Sequence, residues 1–504
     1  MSEQPNVLIL HTDQQRYPSL GCTGNPTART PNLDALADKG CLFSRHIVSN
    51  TISEPSRASL MTGLYPPGHN VWTNGVPLAR EDDYGPEAQR KWPIPATGNY
   101  TTMADLFADA GYDTAAFGKL HLTPNLADPR YGFGESFELA DSGALSDWHG
   151  PYYGFQHVEQ TRGHGEGPSR GGHYGEWLQS KHPEVLERMQ NAKTQHPIEG
   201  KNDLYASEIT SDVHHSEWLA NRFAQWLKNR KNPEEPFFSF IGFPDPHHSL
   251  TPPRDLVEEL KDKSVLEPVD PEGAWWQGSP LQDTVINEDR SVLDLTTTQR
   301  REIIRYYDIM VHNIDRAVGE IMASLEHEKL ENRTIVIFTS DHGDFMGDHG
   351  LIYKALAAAD SLLHVPFVLH VPGKNLPRRI EAAMSNCDVL PTLLNLCGLK
   401  PPCDIHGEDI LEIHRSGRQH RALAYCFTPD GRGGNFTVYD DNYRLTHYPV
   451  LSHTELYDHR KDPGETQNLA TDPAHRDVRD ELLDHLRGIA PSHTTPRLCR
   501  LSSW

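Results

Sequence analysis

No apolar run in the chain approaches the roughly 20 residues that a membrane-spanning helix needs, so no such helix is expected. Positive charge is scarce. The 504 residues carry 47 Lys and Arg against 70 Asp and Glu, a formal net charge of −23. A nucleic-acid binder would show a basic stripe, and that class is set aside. An anionic substrate stays allowed, because a cleft can focus a field opposite to the net charge. Cysteine is sparse and unpatterned. Cys22, Cys41, Cys387, Cys397, Cys403, Cys426 and Cys499 are odd in number and lack paired zinc spacing, which argues against a disulfide framework. The opening MSEQPNVLILHTD has no basic segment followed by a long apolar one. No signal peptide is read there, and the expectation is a cytoplasmic protein, or a periplasmic or secreted one if a leader was removed. No internal repeat is found.

What is present is an alternation of short apolar runs with amphipathic ones. NVLILH (6–11), DTAAFGK after residue 112, PFFSFIGF (236–243), TIVIFTS (334–340) and PFVLHV (366–371) read as buried strands. TPNLDALADKG (30–40) reads as a helix, with Thr-Pro at its start and Gly40 at its stop. TTMADLFADAGY (101–112) follows the same logic. A longer helix is expected over about 297–327, where Ile303, Tyr307, Met310, Ile314, Val318, Ile321 and Leu325 recur at steps of three and four. Strands alternating with helices predict an α/β layer fold with a mostly parallel sheet. Residues 125–200, rich in Gly, His, Trp and Tyr, read as an insertion, a lid or a substrate wall. Its Trp148, Tyr152, Tyr153 and Trp177 could stack on a sugar or an aromatic ring, or pack a lid or a subunit contact. Beyond about 385 the segments shorten, and PDGRGGNFTVYDDNYRLTHY predicts an antiparallel hairpin. The expected division is a catalytic part over 1–384 and a smaller one over 385–504.

In open parallel sheets, ligands bind beyond the carboxyl ends of the strands. Four of the predicted strands run directly into polar clusters: HTDQQ, GKLH, PDPHH and SDHGD. Asp13, Gln14, Asp341 and His342 make a plausible site for a hard divalent cation, although either pair alone could simply cap a helix. Lys119 and His121 alternate, so both face one way if the chain stays extended there. Arg57 lies one turn beyond Ser53 if a helix begins at that serine. Lys354 and the pair His247, His248 add further basic groups. So many cations around one nucleophile suit transfer of a tetrahedral oxyanion, sulfuryl or phosphoryl.

SEPSRASLMTG, residues 53–63, resembles the signature of the type I sulfatases, Cys/Ser-x-Pro-Ser-Arg followed by a Leu-Met/Leu-Thr-Gly run. NVLILHTDQQ, GYDTAAFGKLHL, FPDPHHSLTPP, TIVIFTSDHGDFMGDHGLIYK and ELYDHRKDPGETQNLA resemble further family segments in family order. The resemblance implies an alkaline-phosphatase-like sandwich with a small C-terminal antiparallel sheet, and hydrolysis of sulfate monoesters. It implies that residue 53 is converted to formylglycine by a maturation enzyme, and that its hydrated aldehyde is the nucleophile. Asp13, Asp341 and His342 would hold one divalent ion, with Gln14 and residue 53 as further ligands. Calcium is the expected ion, with manganese and magnesium as alternatives. Arg57 would stabilise the hydrated aldehyde, Lys119 and Lys354 grip sulfate oxygens, His121 act as base and His247 as acid. Asn74 and His248 are placed on the substrate side.

Two departures are informative. Most family members have Asp-Asp where this chain has Asp13-Gln14, and many have Asp-Asn where it has Asp341-His342. These variants resemble the branches with choline sulfatase and the phosphonate monoester hydrolases, so phosphonate monoester or phosphodiester hydrolysis is the alternative. Ser53 stands where aerobic members carry Cys, so a serine-type enzyme, a replaced cysteine and a stand-in for the modified residue are all open. A binding protein that has lost the nucleophile is the third reading. The expected partner is a small-molecule or sugar sulfate ester. Oligomeric state is left open, a homo-oligomer being allowed.

Overall fold

The computed structural model describes residues 4–78, 80, 100–192, 194–269, 276, 279–282, 291–427 and 433–489; Cys499 lies outside them. Strands β1 (Asn6–Thr12), β2 (Cys41–Ile47), β3 (Asp113–Gly118), β4 (His157–Glu159), β5 (Phe237–Gly242), β6 (Thr334–Ser340), β7 (His364–His370), β8 (Arg379–Ile380) and β9 (Met384–Ser385) form one sheet. Its order is β4-β3-β5-β1-β6-β7-β2-β8, with β9 also on β2. Only β7 among these strands runs against the others. The carboxyl ends of the remaining strands therefore share one edge.

The sheet is mostly parallel and covered on both faces, which is why its strands read as unbroken apolar runs. Alternation still sorts the side chains. Leu8 and Leu10 of β1 join one core, whereas Val7 and Ile9 join the other. Helix α1 (Pro31–Lys39) and the long α6 (Thr297–His327) cover the first face. Helices α2 (Ser53–Thr62) and α3 (Met103–Asp109) lie on the second. Between α3 and α6 come α4 (Gly172–Lys181) and α5 (His215–Lys228). The stripe predicted for α6 is buried from Ile303 to Leu325. A capping box between Thr296 and Gln299 starts that helix. No helix of the described residues is long and apolar enough to cross a membrane.

The hairpin expected near 430–448 is present within a four-stranded antiparallel sheet: β10 (Ala422–Phe427), β11 (Gly434–Tyr439), β12 (Tyr443–Tyr448) and β13 (His453–Asp458). Helix α8 (Arg476–Ile489) covers it through Leu482 and Leu486. Helix α7 (Val389–Leu396) packs in the second core of the large sheet. The insertion differs from a simple lid. It supplies β4, which extends the sheet edge beside β3, and α4, whose Tyr174 and Leu178 join the first core. Tyr152 and Tyr153 are buried and hydrogen-bond inward to Glu135 and the Leu78 carbonyl. Trp148 packs edge-on against Tyr152, and Trp177 lies on Tyr174. These rings are packing groups, because each has its partner in the protein.

Candidate active site

The shared edge gathers the sequence-predicted residues. Asp13 and Gln14 follow β1, Lys119 and His121 follow β3, His247 and His248 follow β5, and Asp341 and His342 follow β6. Ser53 is the first residue of α2 and Lys354 comes from the segment between β6 and β7. Helix α2 is buried along its whole length and is stopped by Gly63 in the left-handed region, at φ +67°. Its N-terminus, where backbone N–H groups favour an anion, faces the cluster.

Ser53 Oγ lies 3.1 Å from His342 Nε2 and 3.5 Å from Lys354 Nζ. Lys354 Nζ is also 2.9 Å from His247 Nε2 and 3.1 Å from His342 Nε2. Behind the serine, Arg57 donates Nε to Asp341 and Nη2 to Asp13, each at 2.9 Å. Lys119 Nζ reaches Asp13 at 2.7 Å. Arg57, Lys119, Asp13 and Asp341 are all at most 4% exposed. Buried charge of this density is stable only because each carboxylate faces a cation.

The electrostatics follow from that arrangement. Burial pushes the Asp13 carboxyl up, but Lys119, His247, Arg57 and Lys354 together hold it well below its ordinary value. Burial, aided by Lys119 and Arg57 and partly offset by Asp13 and Asp341, pushes the Lys354 ammonium down to about 8. Burial lowers His247 and His121 well below the usual imidazole range, with His164 and Lys354 adding to the first and Lys119 and Arg57 to the second. At neutral pH both rings are uncharged.

The donor set fits a divalent cation. Asp13, Asp341 and His342 each offer an atom within 4.8 Å of the other two. Asp13 Oδ1 and Gln14 Oε1 are buried and accept no hydrogen bond among the described residues. The neighbours prepare both groups. Gln14 Nε2 donates to His248 Nδ1 and to Asp344 Oδ2, which leaves Oε1 as the free end. His342 donates Nδ1–H to the Gly343 carbonyl, leaving the Nε2 lone pair for a ligand. A second buried group, His214, His215 and Asp245, does not fit an ion. His214 Nδ1 accepts from Ser216 N and Asn313, so its Nε2 toward Asp245 carries the proton.

Two family models match. One, described as Sulfatase, covers residues 5–399, and one described as the N-sulphoglucosamine sulphohydrolase C-terminal region covers 347–491. The chain belongs to the sulfatase family. Its relatives include the multifunctional alkaline phosphatase superfamily protein PehA of Trinickia caryophylli, 28% identical over 93% of this chain and 92% of that protein. An endo-4-O-sulfatase of Bacteroides thetaiotaomicron is 27% identical over 95% of this chain and 91% of its own length. Among solved structures, the phosphonate monoester hydrolase of Agrobacterium radiobacter superposes with a TM-score of 0.75 at 26% identity, covering 96% and 95% of the two chains. The sulfatase membership makes this chain a sulfuric ester hydrolase of alkaline-phosphatase-like fold.

One expectation is corrected in detail. Lys119 and His121 do not alternate along an extended strand. β3 ends at Gly118, and His121 sits in the left-handed region at φ +56°. Glu135 collects the N–H groups of His121, Leu122 and Thr123, and this turn brings both side chains to the site. Asn74 accepts the Glu54 N–H at 3.1 Å, which ties it to the first turn of α2. His248 meets Gln14 and lies tilted against the Tyr353 ring, with centroids 4.2 Å apart.

Four neighbours escaped sequence reasoning. Glu54 accepts Gly75 N and faces His121 Nε2 at 3.4 Å. Glu135 and Asp344 shape the turns. His164 of the insertion stacks on His247, with ring centroids 3.7 Å apart. Glu54 lies inside the family signature, so only position marks it. The others sit in loops whose paths no periodicity encodes. The left-handed φ of Gln14, His121, His349 and Tyr353 marks the same region as strained.

Proposed function

We propose that the chain hydrolyses sulfate monoesters with residue 53 as the nucleophile in its formylglycine form, beside one divalent cation. The observation that carries this reading is Ser53 Oγ at 3.1 Å from His342 Nε2 and 3.5 Å from Lys354 Nζ, next to the Asp13–Asp341–His342 group. Formylglycine supplies a hydrated aldehyde with one hydroxyl to attack and a second to restore the carbonyl, and the cation supplies Lewis-acid charge. Asp13, Asp341 and His342 hold the cation, with Gln14 Oε1 and residue 53 completing the set. Four oxygen donors favour calcium, and the imidazole nitrogen admits manganese.

The remaining roles belong to the chain's own side chains. Lys119 and Lys354 neutralise the anionic oxygens of the ester, where preorganised charge acts most strongly in a dry site. Arg57 fixes both aspartates and so the height of the α2 terminus. His247 donates Nδ1–H to the His248 carbonyl, so its Nε2 accepts from Lys354. The Lys354–His247 couple thereby stores the proton that the leaving oxygen requires. Neutral His121, directed by Glu54, is the base that takes a proton from residue 53.

The substrate class supported is a sulfated sugar or a related alcohol, in keeping with the endo-4-O-sulfatase among the relatives. A second reading has its own support. The Gln14 and His342 variants, the structural likeness to a phosphonate monoester hydrolase and the likeness to PehA favour phosphonate monoesters or phosphodiesters. Intact mass after co-production with a formylglycine-generating enzyme, elemental analysis, and kcat/KM for 4-nitrophenyl sulfate against an aryl phosphonate decide between them. A sulfate preference is expected. A strong phosphonate preference, or an unmodified residue 53 in an active enzyme, sinks the first reading.

A further inference from the structure

The insertion brings one segment, Gln160–His164, against the site at His247 and Lys119. Its tip is Gly163-His164-Gly165, with both glycines in the left-handed region at φ +63° and +58°. A Cβ on Gly165 would come within 3.2–3.4 Å of Ser249, so the tip rests on the residue just after the His247–His248 pair. The flanks are anchored. Arg162 pairs with Asp141 at 2.7 Å and covers the Phe137 ring, and Glu166 accepts from Tyr205 and Ser207. His164 is thereby held parallel to His247, at 3.7 Å and 23°, and stays half-buried rather than sealed.

A second observation lies beside it. Lys119, Glu135, Phe137, Gln160, Thr161 and Arg162 line a crevice of about 20 Å³. Gln160 is 8% exposed and Thr161 is 7% exposed, yet Gln160 Nε2 and Thr161 Oγ1 have no hydrogen-bond partner among the described residues. Unpartnered polar groups at such burial cost free energy unless something polar completes them. The space takes one water-sized group and no ring. Lys119 belongs both to the crevice and to the charged cluster.

Resting on the sulfatase reading above, we propose that Gln160 and Thr161 form a subsite for a single hydroxyl next to the scissile ester oxygen, with His164 as the wall along the leaving group. The substrate is then a monoester of a vicinal diol or polyol, not of a simple phenol or alcohol. Sites that hydrogen-bond a substrate hydroxyl reject the analogue lacking it far more strongly than apolar pockets reject size.

The test uses the matured full chain and two esters that differ by one hydroxyl beside the sulfate, 2-hydroxy-5-nitrophenyl sulfate and 3-nitrophenyl sulfate. The ratio of their kcat/KM values, compared between enzymes, cancels the intrinsic reactivity of the esters. Thr161→Val and Gln160→Leu are each expected to lower that ratio about tenfold. His164→Ala raises KM for both esters more than it lowers kcat, and His164→Phe restores KM. An unchanged ratio in both Thr161→Val and Gln160→Leu overturns the subsite, as does a parallel loss on both esters. If the wild type turns over neither ester, it is the sulfatase reading that has failed. Calorimetric affinity for 4-nitrocatechol against 4-nitrophenol then still reads the crevice: equal affinities in wild type overturn it, and a preference lost in Thr161→Val supports it.

Discussion

Two of the buried ionic clusters among the described residues are built on opposite rules. In the small sheet Arg444, fully buried, gives Nε and Nη2 to the two oxygens of Glu465 and Nη1 to Thr446 and Glu455, while its guanidinium covers Tyr457 at 4.8 Å. Four of its five N–H donors are taken by acceptors of the protein. At the strand ends, Arg57 and Lys119 satisfy one side of Asp13 and Asp341, but Asp13 Oδ1 and Gln14 Oε1 are left for a ligand, and Lys354 sits among other cations and neutral rings. A closed cluster fixes a fold. An open one holds binding capacity in reserve and is stable only with a partner.

The largest effect expected is at Asp13. Asp13→Ala removes the acceptor shared by Arg57 and Lys119 and leaves both buried without it, a loss of about 3–5 kcal/mol. It should also abolish metal retention in elemental analysis and lower kcat/KM more than a thousandfold. Full metal content in a folded Asp13→Ala protein would remove the open cluster from the chemistry. Arg444→Met comes next. It leaves Glu465 buried and unpaired at a similar cost of about 3–5 kcal/mol, read as a lower midpoint in denaturant. The folded fraction should keep its metal and its kcat. A change of kcat in that fraction would mean that the two clusters are coupled.

Lys354→Met separates stability from activity. The ammonium's pKa is pushed down to about 8 by burial, against about 10.4 when unfolded. Below pH 8 both states are protonated and the folded state bears the full penalty of the buried charge. Between pH 8 and 10.4 the unfolded chain binds the extra proton, so wild-type stability rises with pH there. In the metal-free protein, Lys354→Met is therefore expected to be more stable at pH 7 by up to about 3 kcal/mol, with the gain shrinking toward pH 10, and to lose activity at least a hundredfold. A variant that is destabilised at pH 7 would show that Lys354 belongs to a closed network after all.

The sequence made the open cluster far easier to read than the closed one. Asp13, Gln14, Asp341 and His342 directly follow apolar runs, and the geometry of a parallel sheet sends all such residues to one edge. Ser53 and Arg57 are one helical turn apart, so a single local inference aligned them. Glu135 and His164 were illegible because their positions depend on the path of a long insertion, whose contacts are non-local. The insertion's aromatic residues stayed ambiguous for the same reason. Tyr152 and Tyr153 look like ligand platforms in sequence, but β4 needs them as packing beside the sheet edge. Arg444 and Glu465 are 21 residues apart in segments of ordinary composition, and nothing marks two charges as a buried pair until the sheet and its following loop are folded together.

Asp308 sharpens the comparison at its smallest scale, as an acid with neither a closing donor set nor a ligand role. It sits on α6 with Oδ2 accepting no hydrogen bond among the described residues. Burial pushes its carboxyl up to about 7, and the more distant Arg16 and Arg305 only partly oppose this. The sign is opposite to that of a salt-bridged acid. Between about pH 4, the unfolded value, and pH 7 the folded state holds the proton that the unfolded chain has released, so stability falls as pH rises and levels off above 7. Asp308→Asn keeps the shape and removes the charge. Its Tm should exceed that of the wild type by about 2 °C at pH 8 and by less at pH 5, with kcat unaffected. An equal shift at both pH values would assign the effect to packing and show that burial alone does not decide how a lone carboxyl behaves in this fold.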